Sequence, residues 1–130
     1  MKKILLALVL MSSSLFAELD WAPSYEQGLA KAKKEHKMIM LMFSSKTCKM
    51  CNYMKKTVYE NEDVSEYVKA FFIPIDVDIA EHSDKYGYVA FGTPTYYFLD
   101  SNGKQIGRMI VGGASPEGFI QKLKEARGEK

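Results

Sequence analysis

Runs of apolar and polar positions divide the chain into a regular succession of elements. Ser24 precedes Tyr25 to Glu35, where Leu29 and Ala32 share one face and Lys31, Lys33, Lys34 and Glu35 the other, so a capped amphipathic helix is predicted there. Met38 to Phe43 is continuously apolar, the mark of a short strand covered on both faces. Met50, Met54 and Val58 then recur at helical spacing, as do Cys51 and Lys55. Asp63 to Lys69 reads as a second short helix that buries Val64, Tyr67 and Val68. Phe71 to Val77 is another apolar run, and its Pro74 must sit at a bulge, an end or a non-bonding position. Glu81 to Tyr86 reads as a short helix closed by Gly87. Thr95 to Leu99, the turn Asp100-Ser101-Asn102-Gly103 and Gln105 to Val111 read as a hairpin. Gly112-Gly113 breaks the return strand, and Ser115-Pro116-Glu117 opens a last helix with Phe119, Ile120 and Leu123 as its apolar stripe. Mixed strands and helices in this order predict an α/β layered domain.

Residues 1–17 break the pattern. Lys2 and Lys3 lead into the unbroken apolar run Ile4 to Met11, followed by three serines and Phe16-Ala17. This is the layout of a secretory signal peptide cleaved after Ala17, leaving residues 18–130 as one domain. The run falls far short of the roughly 20 apolar residues of a membrane span. The expected product is exported and soluble, periplasmic if the source is a Gram-negative bacterium, and not membrane-spanning. Of 130 residues, 47% are hydrophobic and 26% charged, ordinary globular values. Without Lys2 and Lys3 the mature chain has 16 basic residues against 16 acidic ones, so nothing favours a nucleic-acid partner. A monomer is expected.

Candidate chemistry lies in Cys48-Lys49-Met50-Cys51, which holds both cysteines of the chain. A pair this close staples no distant segments, and in an exported protein it reads as a dithiol–disulfide couple. Placed where a strand hands over to a helix, Cys48 meets unpaired N–H groups and the positive end of the helix dipole, both of which favour a thiolate. Lys49 and Met50 lie between the two sulfurs, and the Thr47 hydroxyl either bonds near the thiolate or caps the helix, the cap being favoured. Cys48 would attack a substrate disulfide and Cys51 would resolve the mixed disulfide. A second reading, of a different class, takes Met50 and Met54 beside the two cysteines as a soft-sulfur set suited to Cu(I), in an exported copper-binding protein. Helical spacing favours packing, or an apolar rim, for the two methionines. His36 and His82 lack ligand spacing and read as surface histidines, while Asp76 and Asp78 read as a solvated strand end. Tyr96, Tyr97 and Phe98 read as alternating core and surface aromatics.

The strand Met38–Phe43, the helix opening at Cys48 and Cys51, and Gly92-Thr93-Pro94-Thr95 ahead of a hairpin together resemble the thioredoxin superfamily over most of residues 21–128. The segment Val58-Tyr59-Glu60-Asn61-Glu62-Asp63-Val64 resembles exported thioredoxin-like proteins and the C-terminal domain of the interchange protein DsbD. The resemblance implies a thioredoxin-like three-layer fold, with a central mixed β-sheet flanked by helices. It also implies a cis Thr93–Pro94 bond beside Cys48, with the Thr93 backbone pairing an extended substrate segment. No cofactor is implied beyond the redox-active Cys48–Cys51 disulfide. The implied partners are exported cysteine-containing proteins, apocytochrome c among the family's substrates, and a membrane electron donor of the DsbD type. Reductant, isomerase and oxidase all fit the fold, and the DsbD likeness favours the reductant. Two departures stand out. Met42 takes the place of thioredoxin's buried aspartate, leaving water, Lys46 or a partner group to accept the Cys51 proton, and Thr47 replaces the usual aromatic before the first cysteine.

Overall fold

The computed structural model describes residues 18–82 and 86–129, so the predicted signal peptide lies outside the described residues. Helix α1 (Tyr25–Glu35) starts where expected, the Ser24 hydroxyl accepting the Gln27 N–H at 3.1 Å. It ends at exposed His36, which adopts a left-handed conformation (φ 55°) and donates its N–H to the Ala32 carbonyl. Strand β1 (Met38–Ser44) is followed by α2 (Lys49–Tyr53), which runs on as a π-helical segment over Met54–Val58. Helix α3 (Glu62–Phe71) leads directly into β2 (Phe72–Asp78), and α4 (Ile79–His82) begins two residues ahead of the predicted Glu81. Strand β3 (Thr95–Leu99), the short β4 (Ile110–Val111) and α5 (Pro116–Ala126) complete the order.

The strands form one mixed sheet in the order β2-β1-β3-β4, with β1 parallel to β2 and β3 antiparallel to both β1 and β4. Side-chain alternation divides the core between the two faces of this sheet. Met40, Met42, Phe72, Tyr96 and Phe98 pack against Cys51, Met54, Val58, Val64, Val68, Phe119 and Leu123 from the α2–π helix, α3 and α5. Ile39, Leu41, Phe43, Ile73, Ile75, Val77, Tyr97 and Leu99 pack on the other face with Ala32 and Leu29 of α1. The result is the expected thioredoxin-like, three-layer α/β fold.

Two expectations about the strands need correction, and a third is narrowed to one of its alternatives. Tyr96, Tyr97 and Phe98 are all buried, because β3 is an inner strand with both faces covered. Of the three places expected for Pro74, the structure gives the non-bonding position, in an unbulged register opposite Met40 on the edge strand β2. The Pro74 carbonyl turns outward to accept the Ala22 N–H at 2.9 Å, and the missing proline N–H would point the same way. The return strand Gln105–Val111 is broken, pairing at Gln105 and again only from Ile110. Gly107, at φ 66°, makes the break in a conformation closed to most side chains.

Close approach of α1 to β2 depends on Gly28, where an added Cβ would collide with the Ile75 side chain and lie 3.2 Å from the Ala22 Cβ. Alanine at an open helix position gains about 1 kcal/mol over glycine. Overpacking a core costs about 1–3 kcal/mol. The clash wins, so Gly28→Ala is expected to lower stability by about 1 kcal/mol in urea unfolding. A gain would show that α1 has room to move.

Candidate active site

The two cysteines sit where β1 hands over to α2. Ser45 to Thr47 cross the gap, and Cys48 itself caps the helix, its Sγ accepting the Cys51 N–H at 3.0 Å. The cap is thus one residue later than the Thr47 expected from sequence. The Thr47 hydroxyl instead lies 3.2 Å from that of Ser45, on the exposed approach to the helix. A sulfur that fills the cap position occupies the place where the helix presents free N–H groups and its positive dipole end, so ionisation of Cys48 is favoured.

Cys48 and Cys51 form a disulfide with their Cα atoms 5.2 Å apart. Their environments differ sharply. Cys48 is half-buried at the rim, whereas Cys51 is 1% exposed within the cluster of Met42, Met54 and Tyr59. One sulfur is therefore open to a partner and the other is held behind it.

The second half of the site arrives from the loop before β3. Thr93–Pro94 is a cis peptide, and the Thr93 carbonyl oxygen lies 3.3 Å from Cys48 Sγ. The Pro94 carbonyl accepts the Gly112 N–H at 2.8 Å, which ties this loop to the end of β4. Val111 stands over Gly92, and the Met50 and Met54 sulfurs both turn toward the Cα of Gly113. Exposed apolar side chains lie on the segments that meet here: Met50 (44% exposed) on α2, Val111 (50%) at the end of β4, and Phe91 (65%) two residues before Thr93 in the chain. Met54 is fully buried, in keeping with the packing reading of the methionine pair. Lys49 is exposed beside the pair. Tyr86 stacks on Tyr25 with ring centroids 4.0 Å apart.

Beneath Cys51, Met42 is buried and accepts a hydrogen bond from the Tyr59 hydroxyl at 3.2 Å. Tyr59 also pairs with the Tyr96 hydroxyl. Burial above all pushes both phenols up from their ordinary range, so they stay neutral hydrogen-bonding groups. Asp76 lies on the same sheet face. Ser44 Oγ donates to it at 2.5 Å and Lys55 Nζ pairs with it at 2.6 Å. Asp76 is exposed near the end of β2, as expected, and the structure adds the partners that hold it there. Its exposed carboxylate is held by groups from β1 and the π-helical segment, while Asp78 accepts the Ala80 N–H at the start of α4. The overlooked signal was a carboxylate inside the otherwise apolar run Phe72–Val77.

A family profile described as a thioredoxin-like domain matches residues 25–127. The disulfide bond reductase DsbH of Chlamydia pneumoniae is 26% identical over 123 residues, covering 85% of this chain and 74% of that protein. Among solved structures, a thioredoxin from Thermus thermophilus superposes with a TM-score of 0.70 at 26% identity, covering 84% of this chain and 87% of its own. The oxidised C-terminal domain of Neisseria meningitidis DsbD gives 0.63 at 26% identity, covering 78% and 92%. Some curated relatives are far longer. The chain spans about 8% of mammalian Spermatogenesis-associated protein 20, matched over 66 residues at 33% identity in Rattus norvegicus. With its helix-capping Cys-x-x-Cys pair and its three-layer mixed sheet, the chain belongs to the thioredoxin-like family.

Proposed function

We propose that the protein is an exported thiol–disulfide oxidoreductase that works as a reductant of disulfides in other exported proteins. The observation that carries this reading is the asymmetry of the pair: a rim-exposed Cys48 at a helix N-terminus, 3.3 Å from the Thr93 carbonyl, with Cys51 buried behind it. Likeness to the chlamydial disulfide bond reductase and to the DsbD domain supports the reducing direction.

In this reading the Cys48 thiolate attacks a substrate disulfide, forming a mixed disulfide and releasing one substrate thiol. Cys51 then attacks Cys48, frees the second substrate thiol and leaves the Cys48–Cys51 disulfide. Thr93 and Pro94 shape the groove, and the exposed apolar side chains of Met50, Val111 and Phe91 receive the flanks of the substrate cysteine. Lys49 and Met50 tune the thiolate from between the two sulfurs. The sulfurs carry the electrons themselves, and a membrane donor of the DsbD type would return the pair to the dithiol. Among the described residues, no helix is long and apolar enough to cross a membrane. Export rests on the basic-then-apolar layout of residues 1–17.

The test is reduction of insulin or of a peptide disulfide by the reduced protein, followed by equilibration with glutathione buffers. The Lys49-Met50 dipeptide contains no histidine to stabilise the thiolate, so a potential clearly below the roughly −120 mV of DsbA is expected. A potential as high as that, or no disulfide reduction at all, would contradict the reductant assignment.

A further inference from the structure

We infer that Asp76, held by Ser44 and Lys55, accepts the proton of the resolving thiol Cys51, in place of a carboxylate at the Met42 position. The inference rests on the oxidoreductase reading above and assigns a role that the sequence left open.

Register and alternation place the acid. Met42 pairs with Asp76 across the parallel β1–β2 ladder, so the two side chains share one sheet face. That face carries Met40 and Met42 from β1 and Phe72 from β2, and it is covered by the helix bearing Cys51. Asp76 continues the Phe72 and Pro74 stripe of β2, while Ile73, Ile75 and Val77 face α1. From the helix, Lys55 lies four residues after Cys51, on the same helical side. Its ammonium reaches Asp76 at 2.6 Å and Ser44 Oγ at 3.4 Å. The carboxylate therefore sits beside Met42, at the exposed edge of the sheet face that the Cys51-bearing helix covers.

The groups facing Asp76 come from each element packed there. They are Ser44 from β1, Lys55 and Tyr59 from the helix side, and Tyr96 from β3. The two phenols sense its charge, which adds to the effect of burial in holding them neutral. Neither competes for the proton. The site is also wet on one side, since Asp76 and Lys55 are 28% and 39% exposed. A cleft of ≈ 360 Å³ lined by Trp21, Lys55 and Tyr59 opens beside the ammonium, and in the proposed step solvent on this side carries the proton between the buried thiol and the carboxylate.

Cys51 Sγ–H gives its proton to the Asp76 carboxylate, and the Cys51 thiolate attacks Cys48 Sγ. The Cys48–Cys51 bond forms as the Cys48–substrate sulfur bond breaks. The electron pair leaves on the substrate sulfur, which takes up a proton from Asp76 or from solvent. The protein pair is oxidised and the substrate sulfur reduced.

One equivalent of 5,5′-dithiobis(2-nitrobenzoate) mixed with the fully reduced protein separates the two half-reactions. The first thionitrobenzoate is released by Cys48 attack and the second by Cys51. This leaving thiolate needs no proton, so the second phase reports deprotonation of Cys51. Asp76→Asn keeps a group able to bond Ser44 and Lys55. It is expected to leave the first phase within about twofold and to slow the second by about tenfold or more at neutral pH. The wild-type second phase should be near its plateau at neutral pH. In the variant it should climb with pH until a free thiol ionises, near 8.5. Asp76→Glu should recover most of the neutral-pH rate. A second phase that is unchanged, faster because Lys55 is freed, or slowed by one factor at every pH would overturn the assignment. Loss of the first phase in the wild-type protein would instead sink the oxidoreductase reading.

Discussion

Cys48→Ser is expected to reduce disulfide-exchange activity to the uncatalysed background. The attacking species is a thiolate, and a serine hydroxyl stays protonated at any working pH. Loss of the fold does not account for such a result. Closing a loop of four residues restricts the unfolded chain little, so losing the disulfide costs about 2 kcal/mol by the chain-entropy relation. That is a fraction of the roughly 5–15 kcal/mol that holds a domain together. The half-buried position of Cys48 adds little further cost for a hydroxyl, which inherits the place facing the Cys51 N–H. Insulin reduction and far-ultraviolet circular dichroism on one preparation check both halves. Residual activity in a folded Cys48→Ser protein would move the nucleophile elsewhere.

Cys51→Ser carries the second large effect, with the opposite appearance. Cys48 should still attack, but the mixed disulfide has no neighbouring thiol to release it and should accumulate. Incubated with an extract of exported proteins, the variant is expected to yield covalent adducts that disappear on treatment with dithiothreitol. Wild-type protein and Cys48→Ser should give none. A serine hydroxyl placed among Met42, Met54 and Tyr59 costs about 1–3 kcal/mol if unsatisfied. Cys51→Ala avoids that hydroxyl and should trap the same partners. If neither variant traps anything, the resolving role of Cys51 is wrong.

Much of the frame was legible because it is written in local chemistry. The run Met38–Phe43 could be covered on both faces only as an inner strand, and β1 lies between β2 and β3. Ser24 and Ser115 announce their helices by side-chain capping, and both accept the N–H three residues on. Features that depend on distant pairing were harder to read. Asp76 reads as a solvated strand end and is exposed there, but only the register sets it opposite Met42 and only the helix brings Lys55 across. Gln105–Val111 alternates like a strand, yet left-handed Gly107 interrupts it. Thr47 has the usual chemistry of a cap, but the chain turns one residue later and gives the position to a sulfur. That slip of one residue matters to function, because it puts the cap and the nucleophile on the same atom.

The same coincidence sets the central expectation of the site. A sulfur that caps a helix at the rim should ionise more readily than a free cysteine, whereas Cys51, sealed beneath it, should stay protonated and unreachable until Cys48 is engaged. The most direct test is alkylation of the reduced protein with limiting iodoacetamide across a pH series, with each cysteine located by peptide mass spectrometry. Cys48 should be modified first, with a rate profile whose midpoint falls below the roughly 8.5 of a free thiol, and Cys51 should stay almost unmodified. Equal modification of the two, or a Cys48 midpoint at or above that value, would contradict the account.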